Sequence, residues 1–336
     1  KMSRKSIVAV LVAAGMLVAA DGPFGRIRYK LEYLPDQEKA RNTITRAYLG
    51  YEGSLNESVS GKVTADVGPT DDGSGKQRFE YYLKHAQIKW TLPIKEFDLK
   101  MGLFGPAYQE QADKNWGYSF LVDPVILGKP SYKGSTGKAN GIGLSSADVG
   151  AELGIKINEN VKAYVGLLKG DGYKNIGVTS DGDLAHPMTV LQFDIKAGVM
   201  LASVGGIIRQ HAHSPAGKDN VELIPNLHFG MKNDVLRAGL EAVARFNRDG
   251  SDLNPNQLFS AALYGVYAFV PGVEGIVRGE YFSTQEEESS SGRGIFGVAI
   301  LPASKFRMVF HYDIEAAVKE GQDAKHVVGL ATELSF

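Results

Sequence analysis

The chain has 336 residues, no cysteine, and nearly balanced charge, with 37 Lys and Arg against 38 Asp and Glu. Missing thiols exclude disulfides, thiolate metal sites and cysteine nucleophiles, and the charge balance argues against general nucleic-acid binding. A hydrophobic content of 43% resembles that of a soluble protein, yet a membrane barrel alternates lipid-facing with lumen-facing residues and hides its apolar surface from such averages.

Residues 1–20 read as a secretory signal peptide: Lys1, Arg4 and Lys5 supply the positive region, Ile7 to Val18 the apolar core, and Val18-Ala19-Ala20 the small residues before a cut at Asp21. The run is too short for a transmembrane anchor. The expected division is signal peptide 1–20 and β-barrel 21–336, and removing the three basic residues takes the formal charge from −1 to −4.

The mature chain opens with strict alternation, Ile27, Tyr29, Leu31 and Tyr33 on one face and Arg26, Arg28, Lys30 and Glu32 on the other, which is the period of a strand. Ala47, Leu49 and Tyr51 then alternate with Arg46, Tyr48 and Glu52, and Val63, Ala65 and Val67 with Lys62, Thr64 and Asp66. Two more strands follow: Ala86, Ile88 and Trp90 against His85, Gln87 and Lys89, and Phe97, Leu99, Met101 and Leu103 against Asp98 and Lys100. Short links such as Leu92-Pro93-Ile94 alternate with longer polar ones such as 68–77, the pattern of periplasmic turns and outer loops.

The alternation stops at residues 105–146, which show no sustained period and hold Trp116, Tyr118, Lys114, Lys129, Lys133 and Lys138. A segment this long without structure of its own is usually functional, and its apolar content is too high for a linker. It is expected to fold into the lumen and set the pore size, its lysines biasing the passage toward anions; the competing reading is an extracellular loop outside the pore or at a trimer contact.

Alternation resumes at Ala147 to Ile157, turns at Asn158 to Asn160, and continues through strands near 188–199 and 203–212 and hairpins at Asn233-Asp234, Pro271-Gly272 and Pro302-Ala303-Ser304. The count is about sixteen strands, with residues 199–204 and 220–226 ambiguous, and the last strand ends on Phe336, which resembles an outer-membrane assembly signal. The expected fold is all-β: a transmembrane antiparallel barrel in the bacterial outer membrane. A soluble sandwich would need a second sheet over every apolar face, whereas Tyr33, Tyr51, Trp90, Tyr281, Phe306, Tyr312 and Phe336 near strand ends suit interface girdles.

The runs Arg46-Ala-Tyr-Leu-Gly-Tyr-Glu-Gly, Lys62-Val-Thr-Ala-Asp, Lys84-His-Ala-Gln-Ile-Lys-Trp, Lys100-Met-Gly-Leu-Phe-Gly and Ser146-Ala-Asp-Val-Gly are similar to the early strands of the phosphate-selective porin family. The resemblance implies a sixteen-stranded, trimeric porin with an inward third loop, embedded in lipid and lipopolysaccharide, with phosphate among its solutes. That family's arginine ladder and lysine cluster are not matched residue by residue.

From the residues themselves, inward faces carry more basic than acidic groups, including Arg26, Arg28, Arg46, Lys62, Lys89, Lys100, Arg209, Arg237, Arg245, Arg278 and Arg307. Fixed cations favour anions, although many can pair across strands. The expected function is passive diffusion of small hydrophilic solutes, anionic or neutral, without cofactor or metal. The alternative is a structural barrel, or a lipid-hydrolase-like one using His85, His311 and Asp313, with little conductance. His211 and His213 are too few for a metal site. The acidic loops at 181–183, 249–252 and 286–288 read as turns and solvated tips.

Overall fold

The computed structural model describes residues 22–71, 77–127, 144–170, 172–174, 187–211, 220–249, 252–284, 289–317 and 323–336. Sixteen antiparallel strands close into one barrel. They are β1 (Pro23–Leu34), β2 (Lys39–Ser54), β3 (Val59–Asp71), β4 (Gln77–Thr91), β5 (Phe97–Phe104), β6 (Asp148–Lys156), β7 (Val161–Leu168) and β8 (Met188–Ala197). The second half comprises β9 (Met200–His211), β10 (Asn220–Lys232), β11 (Leu236–Asp249), β12 (Asp252–Val270), β13 (Val273–Thr284), β14 (Ser289–Ala303), β15 (Phe306–Ala317) and β16 (Lys325–Ser335). The segments that were ambiguous in sequence are the strands β9 and β10.

Closure comes from β1 against β16, in register from Arg26 with Ser335 to Tyr33 with Val328. Gly25 and Phe336 exchange backbone hydrogen bonds of 2.9 and 3.0 Å. A Cβ on Gly25 would lie 2.2 Å from the Phe336 ring, so the terminal aromatic needs glycine opposite it.

The two faces separate as the alternation predicts. Leu49, Leu263, Tyr267, Phe296 and Phe310 are exposed outward, as are the girdle residues Tyr33, Trp90, Tyr281, Tyr312 and Phe336. Outward apolar residues on a closed barrel meet lipid rather than a second sheet. Three of the turns at the end that carries both chain termini share one device. Asn56, Asn158 and Asn233 each accept two backbone N–H bonds of 2.7–2.9 Å, from the first residue of the next strand and from the residue before it. An asparagine side chain that mimics a backbone turn fixes a tight connection.

The barrel wall is uneven. β5, β6 and β7 have 8, 9 and 8 residues, against 15 in β4 and 19 in β12. Leu103, next to the end of β5, is level with Ala86 in the middle of β4. The chain after β5 therefore leaves the wall at mid-height and starts inside the barrel.

Periodicity implied no regular element in 105–146, but Ala107–Trp116 is a helix, α1. The sequence signal is weak for physical reasons: Pro106 precedes it without a side-chain cap, and its buried face of Ala107, Tyr108, Ala112, Asn115 and Trp116 includes a polar residue. Gly117, at φ 73°, ends it in the left-handed conformation.

Candidate functional site

The inside of the barrel has two walls. From β7 to β16 the inward positions include many aliphatics, among them Met188, Val190, Ile207, Ile224, Ile295 and Val309, all buried. From β1 to β6 the inward side chains are largely polar or charged, among them Arg28, Lys30, Arg46, Lys62, Asp66, Lys84, His85, Lys100 and Glu152, with Phe24 and Phe104 between them.

The loop lies on the apolar wall. Trp116, Tyr118, Phe120 and Leu121 pack with Tyr264, Val266, Ile276, Ile295, Ala299 and Val309. Tyr108, Val125, Ile126 and Leu144 join a second cluster with Met188, Val190, Ile207, Ile224 and Leu258. Each large side chain so covered contributes about 1.5–3 kcal/mol relative to exposure, against the cost of ordering the loop.

Wall cations hold the loop backbone in place. Arg237 donates to the Trp116 carbonyl at 3.5 Å, Arg307 to that of Gly117 at 2.6 Å, Lys30 to that of Leu121 at 2.9 Å and Arg278 to that of Asp123 at 3.5 Å. Arg28 donates to the Ser119 hydroxyl at 3.2 Å, and the Val125 N–H reaches Glu241 at 2.8 Å. Arg278 is the centre of this clamp: fully buried, it bonds Glu241 at 2.9 Å and Glu280 at 2.7 Å, with its guanidinium 4.9 Å from the Trp116 ring centroid. Asn115 fixes α1 through the Ala238 carbonyl at 3.0 Å and the Tyr264 hydroxyl at 2.8 Å. Tyr118 donates to Glu274; burial and that bond push its phenol above its ordinary pKa, so it stays a donor.

These contacts assign the sequence candidates different positions. Trp116 and Tyr118 are buried against the wall and anchor the loop. Lys114 is exposed and pairs with Glu110 at 2.6 Å. Burial alone would raise the Glu110 pKa, but Lys114, with Lys100 and Lys162, holds it below its ordinary value. Lys129, Lys133 and Lys138 lie outside the described residues.

Of the wall cations, Arg28 and Arg307 bond Glu333, Arg26 lies 3.7 Å from it, Arg46 pairs with Asp66 and Lys62 with Glu52. Lys100 pairs with Glu152, Arg209 with Glu222 and Arg237 with Glu274. Lys84, Lys89 and Arg245 have no carboxylate partner among the described residues.

Sequence reading did not assign Lys84 to the inner face, and it counted Asp123 only among the acids of the loop. In β4 the register against β3 skips Lys84, since Thr64 pairs with His85 and Ala65 with Leu83. This bulge turns both Lys84 and His85 inward, as bulges commonly re-aim a side chain. A second bulge at Thr45 lies between the pairs Arg28 with Arg46 and Tyr29 with Ile44. On the loop, Asp123 keeps exposed surface beside the buried Pro124 and Val125. Burial raises its pKa above the ordinary value, against the opposing pull of Arg28, Lys84 and Arg46 on the facing wall. The passage is thus bounded by an acid on the loop and cations on β1, β2 and β4.

His311 and Asp313 share the inner face of β15, but Asp313 is bonded by Arg293, and His85 stands five strands around the wall. The three are not brought together. His211 ends β9 with its side chain outside the described residues, as is His213. The stretches 181–183 and 286–288 and residues 250 and 251 also lie outside them.

The fold is that of outer-membrane porins. It is similar to an anion-selective porin from Comamonas acidovorans, at TM-score 0.69 and 10% identity over 94% of this chain and 99% of that one. It is also similar to the outer membrane channel DcaP of Acinetobacter baumannii, at TM-score 0.66 and 14% identity over 94% and 97%. A third similar structure is OmpT of Vibrio cholerae, at TM-score 0.62 and 12% identity over 95% and 100%. No family model matches the chain, and no curated protein does. The barrel shares architecture with these proteins and little sequence.

Proposed function

We propose that this chain is a bacterial outer-membrane porin, a water-filled channel for passive diffusion of small hydrophilic solutes with a preference for anions, phosphate among them. The observation that supports the reading is the division of the lumen: the loop's apolar side chains pack on the wall of β7 to β16, while Arg46, Lys62 and Lys84 on β2 to β4 keep exposed surface toward the passage. An ion crossing there passes between Asp123 and the Arg28, Arg46 and Lys84 group. Fixed charges in a narrow passage act strongly because water and salt screen them less than on an open surface. Residues 1–20 are proposed as a cleaved signal peptide. The assembly is proposed as a homotrimer in lipid and lipopolysaccharide, in keeping with a similar Vibrio cholerae OmpT structure described as a trimer form.

The test is conductance of the purified protein in a planar bilayer, with the reversal potential read in a potassium chloride gradient. Steady ohmic current with an anion-selective reversal potential is expected. A folded barrel without current would favour a structural role, and a cation-selective potential would overturn the anion preference.

A further inference from the structure

The geometry points to a subsite at Lys84 for an organic carboxylate with a flat apolar body, which it takes in preference to inorganic phosphate. This inference rests on the anion-channel reading above and names the solute class of that passage. The bulge in β4 places the Lys84 ammonium 4.6 Å from the Tyr48 ring centroid and 5.7 Å from that of Tyr173, donating to the Tyr48 hydroxyl at 3.3 Å. Tyr48, Asp66 and Tyr82 pair residue to residue across β2, β3 and β4, and Tyr82 meets Tyr173 edge-on at 6.0 Å. Farther down, Lys62 sits 5.0 Å from the Phe24 ring centroid. This wall therefore alternates ring surfaces with positive charge.

The charge is sparse where it counts. Arg28 is engaged by Glu333, Arg46 by Asp66 and Lys62 by Glu52, and Asp66 also accepts the Tyr173 hydroxyl at 2.6 Å. Lys84, half-buried, is the cation of this group without a carboxylate, so the subsite offers one uncompensated charge flanked by rings. A phosphate dianion calls for several free donors converging on its oxygens, such as an arginine fork supplies. A monocarboxylate needs one, and a flat apolar body can lie against the part-exposed rings of Tyr48 and Tyr82, with buried Tyr173 behind them. Asp123 across the passage adds a negative charge that disfavours a dianion more than a monoanion.

Two measurements on the folded, full-length barrel test this separately from the channel reading. Titration calorimetry in detergent with sodium benzoate, sodium acetate and sodium phosphate reads binding without requiring current. Benzoate is expected to bind several-fold more tightly than acetate or phosphate. Lys84→Met should abolish that binding, Lys84→Arg retain it and Tyr48→Leu weaken it toward the acetate value. In the bilayer, benzoate should reduce chloride current saturably in the wild type and not in Lys84→Met. Phosphate binding as tight as benzoate, or benzoate binding unchanged in a folded Lys84→Met barrel, overturns the subsite. Lys84-dependent benzoate binding by a barrel that passes no current would support the subsite while refuting the channel.

Discussion

The two halves of the lumen treat the same residue type in opposite ways. On β7 to β16 arginine is structural: Arg278 has no exposed surface, holds two carboxylates and a loop carbonyl, and lies against Trp116. On β2 to β4 the cations Arg46, Lys62 and Lys84 are part-exposed and bond no loop group among the described residues, while Arg28 and Lys30 of β1, at the border, reach the loop. Position relative to the loop, rather than residue identity, decides whether a lumen cation anchors or attracts. A count of basic residues therefore overstates the field that a solute meets.

The sharpest way to break the comparison is to remove one cation from each wall. Arg278→Leu leaves buried Glu241 without its cation, and the expected loss is about 3–5 kcal/mol in denaturant unfolding of the reconstituted barrel. Lys89→Met on the open wall should stay within about 0.5 kcal/mol. Equal losses would show that the clamp is not what distinguishes the walls.

Next in size is the outer face, which sets the reference for both walls. Leu263, 65% exposed, should cost about 2–4 kcal/mol as Leu263→Arg if it lies near the bilayer midplane. Leu330→Arg, at a position between Leu31 and Phe310, should behave alike. Lys100→Arg, which keeps the pair with Glu152, should be mild. Folding titrations in lipid vesicles would distinguish these outcomes.

Gly117 is smaller in effect and local to the clamp. Its positive φ disfavours any side chain, and a Cβ there would lie 2.3 Å from Arg237 Nη1. Gly117→Ala should cost about 1–2 kcal/mol and raise the open-channel current as the helix end shifts. An unchanged melting curve would argue against a rigid loop end.

Asp123 offers a gentler test on the passage itself. Its raised pKa means that it takes up a proton at higher pH than an ordinary aspartate, so anion preference should grow as pH falls through that range. Asp123→Asn should remove the pH step and fix the higher preference, a change of up to about fivefold in the permeability ratio. Reversal potentials measured between pH 7 and pH 4 would check both. The smallest effect is expected at Lys114, whose exposed pair with Glu110 is worth below about 0.5 kcal/mol. Lys114→Ala should leave unfolding and selectivity close to those of the parent, read in the same two assays.

Much of the barrel was legible because a period of two survives wherever one face meets lipid: Ile27, Leu31 and Tyr33 suffice to orient β1. Bulges were not legible. One extra residue at Thr45 or Lys84 resets the alternation without leaving a compositional mark, and Lys84 thereby escaped assignment to the inner face. The helix was hidden by a missing cap and by Asn115 on its buried side. The covered wall did leave a trace, since Ile207 beside Ile208 and Val266 beside Tyr267 make strands apolar on both faces. Such strands need cover on the inside as well as from lipid. What no count could supply was pairing, because Glu333 serves Arg28 and Arg307 together from the far end of the chain.

The clamp also has a history within each molecule. Arg237, Arg278 and Arg307 lie 121, 155 and 190 residues beyond the loop atoms they hold. Contacts of such separation form late, because the intervening chain must first be ordered. A nascent barrel lacking its last hairpins lacks Arg278 and Arg307, so the loop gains its full set of anchors only as the strands that close β1 on β16 are added.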